Sequence, residues 1–454
     1  MTKKSISRRR FIETAAAGTA GAVAMSSVPF YGISSNATGK LAILGGQPVR
    51  SSDKTWPKWP YVDDKVVASI EKTTRSGIWC RIDSPNGTVP TFEKKYAALM
   101  GAKYCVATGS GTQALHTCVE ALGIGPGDEV ITSPYTDMGT IASVLSARAL
   151  PVLADIDRES FQIDPAAIER LITPNTKAIM PVHIMGQPCD LDNIMALAKK
   201  HNLYVIEDAC QAHLAEYRGK KLGTIGNVGC FSHQSSKTIP CGEGGSIIGN
   251  DDELMDQCYT VMNHGTNRKG RSITIGPKYR MNEFEGSILL AQLENSVEQW
   301  NRRNENARYL SSKLKNFPGL IPQKLYPGTE SGSFYLYTMG YRKEHFNGAP
   351  RSAFLKAMAA EGIKLSPYIA NGLHREAWVD HILGLKGYQK MYSPSRLKQY
   401  KEELVCPVCD RICSDEMVML WASGPLLGTK SDMDDIINAI MKVYENRDQL
   451  KNIG

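Results

Sequence analysis

The sequence predicts an α/β protein with a large, mostly parallel sheet domain followed by a smaller C-terminal α/β domain. Three observations carry this. Short apolar runs alternate with amphipathic segments from Tyr104 onward, a long helical pattern without an internal proline occupies 283 to 315, and strand and helix patterns resume beyond Pro318. The runs fall at Tyr104 to Ala107, Glu129 to Thr132, Pro151 to Asp155, Ala178 to His183, Leu203 to Ile206, Gly229 to Ser232 and Gly245 to Gly249. Strands spaced by amphipathic helices imply βα units, and in such sheets ligands gather at the carboxyl ends of the strands. Beyond Pro318 the pattern predicts a strand at Ser333 to Tyr341, a helix near Arg351 to Gly362 and a terminal helix at Ser431 to Asn446. At 454 residues the chain exceeds one small core. We divide it into a leader at 1–37, a large domain at 38–292, and the linking helix with the small domain at 293–454.

Composition narrows the function class. The formal charge of +7 is concentrated at the start, where Lys3, Lys4, Arg8, Arg9 and Arg10 against Glu13 leave only +3 for the remainder. Mixed charges of that size do not suit nucleic acid. Eleven cysteines, an odd number scattered from Cys80 to Cys413, read as mostly buried free thiols. Cys406, Cys409 and Cys413 have no second pair to complete a zinc site, so we read them as packing at a helix entry and expect no metal.

Ser7-Arg8-Arg9-Arg10-Phe11-Ile12, followed by an Ala/Gly-rich apolar run from Ala15 to Met25, reads as a twin-arginine export signal. The run is too short to span a bilayer. The expected location is periplasmic or otherwise extracytoplasmic, with the twin-arginine export machinery as a partner; the chain is cytoplasmic if the signal goes unused. A disordered basic tail is the plain alternative.

Three segments carry chemistry. Thr108-Gly109-Ser110-Gly111-Thr112 joins a strand to a helix, where free N–H groups favour a phosphate. Leu203 to Gln211 ends an apolar strand on Glu207-Asp208, placing a carboxylate at the sheet edge. Cys230 to Gly245 is a strand, a polar turn with the single lysine Lys237, and a glycine hairpin. A loop lysine alone is usually solvated; between strand ends it becomes a candidate imine-former.

Together with Leu41 to Arg50, Pro181 to Pro188 and Tyr279 to Phe284, these segments resemble the DegT/StrS family of sugar aminotransferases over nearly the whole chain after the leader. The resemblance implies an aspartate-aminotransferase-like fold, a homodimer with active sites at its interface, and pyridoxal 5'-phosphate as cofactor. It makes Lys237 the lysine that binds the cofactor covalently and shuttles the proton, and Asp208 the partner of the pyridine nitrogen. Gln211 would meet the ring hydroxyl, and Gly111, Thr112 and Ser232 the phosphate. The implied reaction moves an amino group from glutamate or glutamine to a keto-sugar or keto-cyclitol in two half-reactions. The tail from Trp421 to Ile436 and the tetrapeptide Gln234 to Lys237 resemble the branch acting on scyllo-inosose.

The pattern also departs from the family. Asp137 stands where relatives often carry a ring that stacks on the cofactor; it reads equally as a contact for substrate hydroxyls or as a helix N-cap. Lys278 replaces an asparagine that reaches the partner's phosphate, a task a lysine can perform as a point charge. His374, Tyr335 and Arg280 are further candidates for the acceptor pocket. His183 reads as a structural histidine, and Trp56 and Trp59 as packing for the N-terminal segment. The alternatives to an aminotransferase are a non-catalytic sensor or binder of the same family and, against the presence of Lys237, an eliminating enzyme.

Overall fold

A computed structural model describes residues 39–453; the twin-arginine segment lies outside them. The large unit is built on β1 (Tyr104–Thr108), β2 (Glu129–Thr132), β3 (Leu150–Leu153), β4 (Thr176–Met180), β5 (Tyr204–Asp208), β6 (Glu216–Tyr217), β7 (Lys220–Lys221), β8 (Val228–Ser232) and β9 (Gly245–Gly249). Seven of them form one sheet in the order β1-β9-β8-β5-β4-β2-β3. The pairs joining β3, β2, β4, β5 and β8 are parallel, and β9 runs antiparallel between β8 and β1. Every residue of β2, β3, β8 and β9 is buried, as expected of strands covered on both faces.

The 32-residue helix Glu283–Leu314 starts with an Asn282/Glu285 capping box. Its Leu289 joins the core with Phe92, Tyr96 and Phe231, whereas Ala307, Leu310 and Leu314 join the second core. That second core lies over the antiparallel sheet β10-β12-β13 (Leu320–Pro322, Leu336–Tyr341, Met417–Trp421), under the helices Arg351–Ala360 and Lys430–Glu445. The short strand β11 (Thr329–Ser331) pairs with β6 of the large unit. Leu41 and Val49, early in the chain, also pack into the C-terminal core. There Glu361 accepts from the backbone N–H groups of Ala42 and Val49 at 2.8 and 3.1 Å, and from the buried Lys442 at 2.9 Å.

Two sequence expectations need correction. The strand expected at Ser333 starts only at Leu336, because Phe334 turns to φ 48° while the Ser333 N–H reaches the Gly186 carbonyl at 2.8 Å. The strand expected to reach His183 stops at Met180, and Ile184–Gly186 forms a tight turn with Met185 at φ 65°. Between 362 and 405, where no element was expected, three short helices (Trp378–Gly384, Lys386–Met391 and Pro394–Glu403) fold back over the outer strand β3, and the helix whose entry was read at Cys406 is Pro407–Arg411. Tyr388, Tyr392 and Tyr400 donate their hydroxyls to the carbonyls of Ala149, Asp128 and Pro151 at 3.0, 2.6 and 2.9 Å. Arg396 meets the fully buried Glu129 at 2.6 Å.

Arg396→Ala therefore leaves a buried carboxylate without its cation. The expected loss is about 3 to 5 kcal/mol in chemical denaturation; a change below ~1 kcal/mol would contradict this role for the pair.

Candidate active site

The carboxyl ends of β5 and β8 and the start of the Gly111–Ala121 helix meet at one place. Gly111 permits it: a Cβ there would lie 2.8 Å from both the Cys210 sulfur and the Ser232 Cβ. Ser110 caps the helix, which starts at Gly111, its hydroxyl accepting from the Gln113 N–H at 3.2 Å. The N–H groups of Gly111 and Thr112 have no protein acceptor among the described residues. A helix start with free N–H groups next to the Ser232 hydroxyl suits an anion.

Asp208 ends β5 and is 3% exposed. It accepts from the Thr140 hydroxyl at 2.7 Å and the Cys210 N–H at 3.2 Å, and Thr140 is hydrogen-bonded to Thr136 at 2.8 Å. Among the described residues it has no cationic partner, so the site carries an uncompensated buried carboxylate. Gln211 accepts from the Met185 N–H at 2.7 Å, which fixes its amide so that Nε2 donates to the Tyr368 hydroxyl at 3.0 Å. Burial raises the Tyr368 pKa, so this phenol stays protonated.

Lys237 is half-buried, with its Nζ 4.3 Å from the centre of the Tyr335 ring and no carboxylate partner among the described residues. Its loop is tied from several directions. The Tyr335 hydroxyl meets the Ser236 Oγ at 2.8 Å, Ser423 donates to the Ser236 carbonyl at 2.8 Å, and Thr238 meets Ser333 at 3.1 Å. The Trp59 indole N–H donates to the Lys237 carbonyl at 3.1 Å.

Beneath the loop lie two buried histidines that the sequence reading missed. His233 is hydrogen-bonded through Nδ1 to the Ile239 carbonyl at 2.9 Å and through Nε2 to Ser246 at 2.9 Å. His213 bridges Tyr96 and the Ser232 carbonyl, each at 2.8 Å. A carbonyl can only accept, so each ring keeps one proton for it. Burial lowers the pKa of His233 to about 4 and that of His213 well below its ordinary value.

The remaining candidates divide. Tyr335 belongs to the Lys237 cluster. Asp137 is the N-cap of the Met138–Ser146 helix, accepting from the Gly139 N–H at 2.8 Å, and its other oxygen has no protein partner among the described residues. Thr112 stands against that helix start, its hydroxyl 2.4 Å from where a Cβ on Gly139 would lie. His374 turns to Asp410 at 3.0 Å, its Nδ1 unpartnered, and burial lowers its pKa. Lys278 is exposed, and Arg280 lines a separate cavity of about 880 Å³ with Arg81, Tyr104 and Tyr259. Neither hydrogen-bonds to the residues around Lys237 among those described. His183 is structural: its Nε2 is 2.9 Å from Glu207, whose oxygens also hold the N–H groups of Gly223, Ile225 and Gly226. The eleven cysteines are unpaired, and the Asp155 carboxylate holds the N–H groups of Val408 and Cys409 at the entry to the Pro407–Arg411 helix.

Known proteins match this chain over most of its length. Residues 60–422 match the profile of the DegT/DnrJ/EryC1/StrS aminotransferase family. The L-glutamine:2-deoxy-scyllo-inosose aminotransferase of Streptoalloteichus tenebrarius is 35% identical over 432 residues, covering 90% of this chain and 99% of the relative. Among solved structures, 3-amino-5-hydroxybenzoic acid synthase superposes with a TM-score of 0.74 at 26% identity, covering 88% of this chain and 100% of that one. An aminotransferase from Psychrobacter cryohalolentis gives 0.75 at 27%, covering 86% and 99%.

The buried neutral histidines make stability depend on acid. A histidine whose folded pKa is depressed contributes stability that is complete above its unfolded pKa and is lost as pH falls toward the folded value. Between pH 6.5 and about 4, His233 alone is to cost on the order of 3 kcal/mol. His233→Gln is to flatten that part of the pH profile of unfolding free energy, and an unchanged slope would contradict the assignment.

Proposed function

The chain belongs to the DegT/DnrJ/EryC1/StrS aminotransferase family and is an aminotransferase; from that premise we propose that it carries pyridoxal 5'-phosphate on Lys237 and aminates a free keto-cyclitol with glutamine. The observation that carries the reading is the buried Asp208, without a cation among the described residues, facing the same cluster as the Lys237 amine, which has no carboxylate partner among them. The donor set fits the cofactor: an uncompensated carboxylate for a protonated ring nitrogen, a fixed amide N–H from Gln211 for the ring oxygen, and free helix-start N–H groups for the phosphate.

When bound, the cofactor supplies a carbonyl that captures amines and a ring that accepts an electron pair. Asp208 would hold positive charge at the ring nitrogen. Gly111, Thr112 and Ser232 would hold the phosphate. The Lys237 Nζ would carry the proton lost from the donor's α-carbon, which requires a neutral amine. The same residues would serve the second half, in which the acceptor receives the amino group.

Glutamine and a cyclitol are favoured by the similarity to the L-glutamine:2-deoxy-scyllo-inosose aminotransferase of Streptoalloteichus tenebrarius. A keto-sugar is the nearest alternative acceptor, with Asp137, Tyr335 and His374 as candidate contacts. A homodimer is favoured by the exposed apolar side chains Ile273 and Ile275, just before Lys278 in the chain, and Trp79, whose carbonyl accepts from the Glu283 N–H at 2.9 Å; Ile275 is 92% exposed. Lys278 would then act on the partner's phosphate. Export rests on the twin-arginine segment, and no helix among the described residues is long and apolar enough to cross a membrane.

Purified protein loaded with pyridoxal phosphate is to show a visible absorption band that is absent in Lys237→Ala. Glutamine is to bleach the band, and a free keto-cyclitol is to restore it faster than a nucleotide-linked keto-sugar. A band indifferent to Lys237 and to glutamine would favour the non-catalytic binder. For export, replacing Arg8 and Arg9 by lysine is to retain the protein in the cytoplasm on fractionation; unchanged periplasmic recovery, or none in the wild type, would overturn it.

A further inference from the structure

Arg303, on the Glu283–Leu314 helix, is 1% exposed and has no carboxylate partner among the described residues. Enclosing a guanidinium without a counter-charge is unfavourable unless its donors and its face are well used. Both are used here. Nε and Nη2 donate to the Ser423 carbonyl at 3.1 and 2.8 Å, and the guanidinium carbon lies 4.6 Å from the centre of the Trp59 ring. Each of these partners continues to the lysine loop. The Ser423 hydroxyl donates to the Ser236 carbonyl at 2.8 Å, and the Trp59 N–H donates to the Lys237 carbonyl at 3.1 Å. One buried cation thus lies behind the two donors that hold consecutive carbonyls of the loop.

We propose that Arg303 is a positioning residue for Lys237, setting the main chain of the lysine through Ser423 and Trp59 and so fixing where Nζ stands over Tyr335. The proposal rests on the reading of Lys237 as the cofactor-bearing lysine. A residue that merely filled the core would need only volume. Arg303 instead supplies a two-toothed donor to one partner and a flat cation to the other, which lysine cannot reproduce together. Small displacements of a reacting group are costly, so the effect belongs to the rate of the step that Lys237 serves rather than to donor binding.

The test uses cofactor-loaded full-length protein and five variants: Arg303→Met, Arg303→Lys, Trp59→Phe, Ser423→Ala and the double variant Arg303→Met with Trp59→Phe. Trp59→Phe keeps a ring under the cation but removes the N–H, and Ser423→Ala removes only the hydroxyl. Two quantities are read: the rate at which glutamine bleaches the visible band per loaded site, and the glutamine concentration giving half that rate. Trp59→Phe and Ser423→Ala are each expected to slow bleaching about 10-fold with the half-rate concentration within about twofold of wild type. Arg303→Met is expected to slow it about 100-fold, with little rescue by Arg303→Lys. Adding Trp59→Phe to Arg303→Met is to change the rate by less than about twofold, since both act through one chain of contacts. A lowered melting temperature with unchanged bleaching rates in all variants would overturn the proposal and leave Arg303 a structural residue. If Arg303→Met does not fold, normal rates in Trp59→Phe and Ser423→Ala overturn it on their own. A wild-type protein lacking a Lys237-dependent band would overturn the functional reading and this inference with it, whereas a normal wild-type band with unaffected variants overturns only the inference.

Discussion

The hold on the chain around Lys237 is the constraint on which the rest of the arrangement depends. Four hydrogen bonds reach residues 236 to 238 from Trp59, Ser333, Tyr335 and Ser423, all lying outside the large sheet. The sheet supplies the underside, where His233 closes the loop onto Ile239 and His213 supports the end of β8. A flexible lysine side chain reaches a reproducible point only if its main chain is fixed, because surrounding side chains must be held by their own contacts to preorganise a site. Both units must therefore be folded and docked before Nζ has a defined place.

The docking is built accordingly. The early segment from Leu41 to Arg50 is tied to the C-terminal core through Glu361, and Arg50 bonds Asp432 and Asp435 at 2.7 and 2.9 Å. This fixes the strand of chain that delivers Trp59. On the opposite flank, the helices from Trp378 to Arg411 fasten the smaller unit to the outer edge of the large sheet. Tyr368 crosses from the smaller unit to Gln211, so the residue proposed to meet the ring oxygen is itself held from both sides.

Much of the frame was legible because its signals are local. Continuous apolar strands, a long helix without proline and a glycine turn before a helix each express a physical need visible within a few residues, and they placed Gly111, Asp208 and the Lys237 loop at strand ends; joining them with Gln211 in one site came from the resemblance to the family. The three helices between 378 and 403 were not legible: they are short, and two of them are anchored by Tyr388, Tyr392 and Tyr400, whose hydroxyls find carbonyls far away in the chain. Nor could the sequence reveal that Trp59 and Arg303 serve the lysine, since neither residue has a motif and their partners lie more than a hundred positions away. Asp137 was legible both as a candidate substrate contact and as an N-cap, of which the cap is seen, and His374 takes a carboxylate partner that no spacing announces.

The most direct test is to identify the residue that holds the cofactor. Protein loaded with pyridoxal phosphate would be reduced with borohydride, digested, and sequenced by mass spectrometry. The account predicts the reduced cofactor on the peptide containing Lys237 and on no other lysine. Modification spread over surface lysines, or absent altogether, would contradict it.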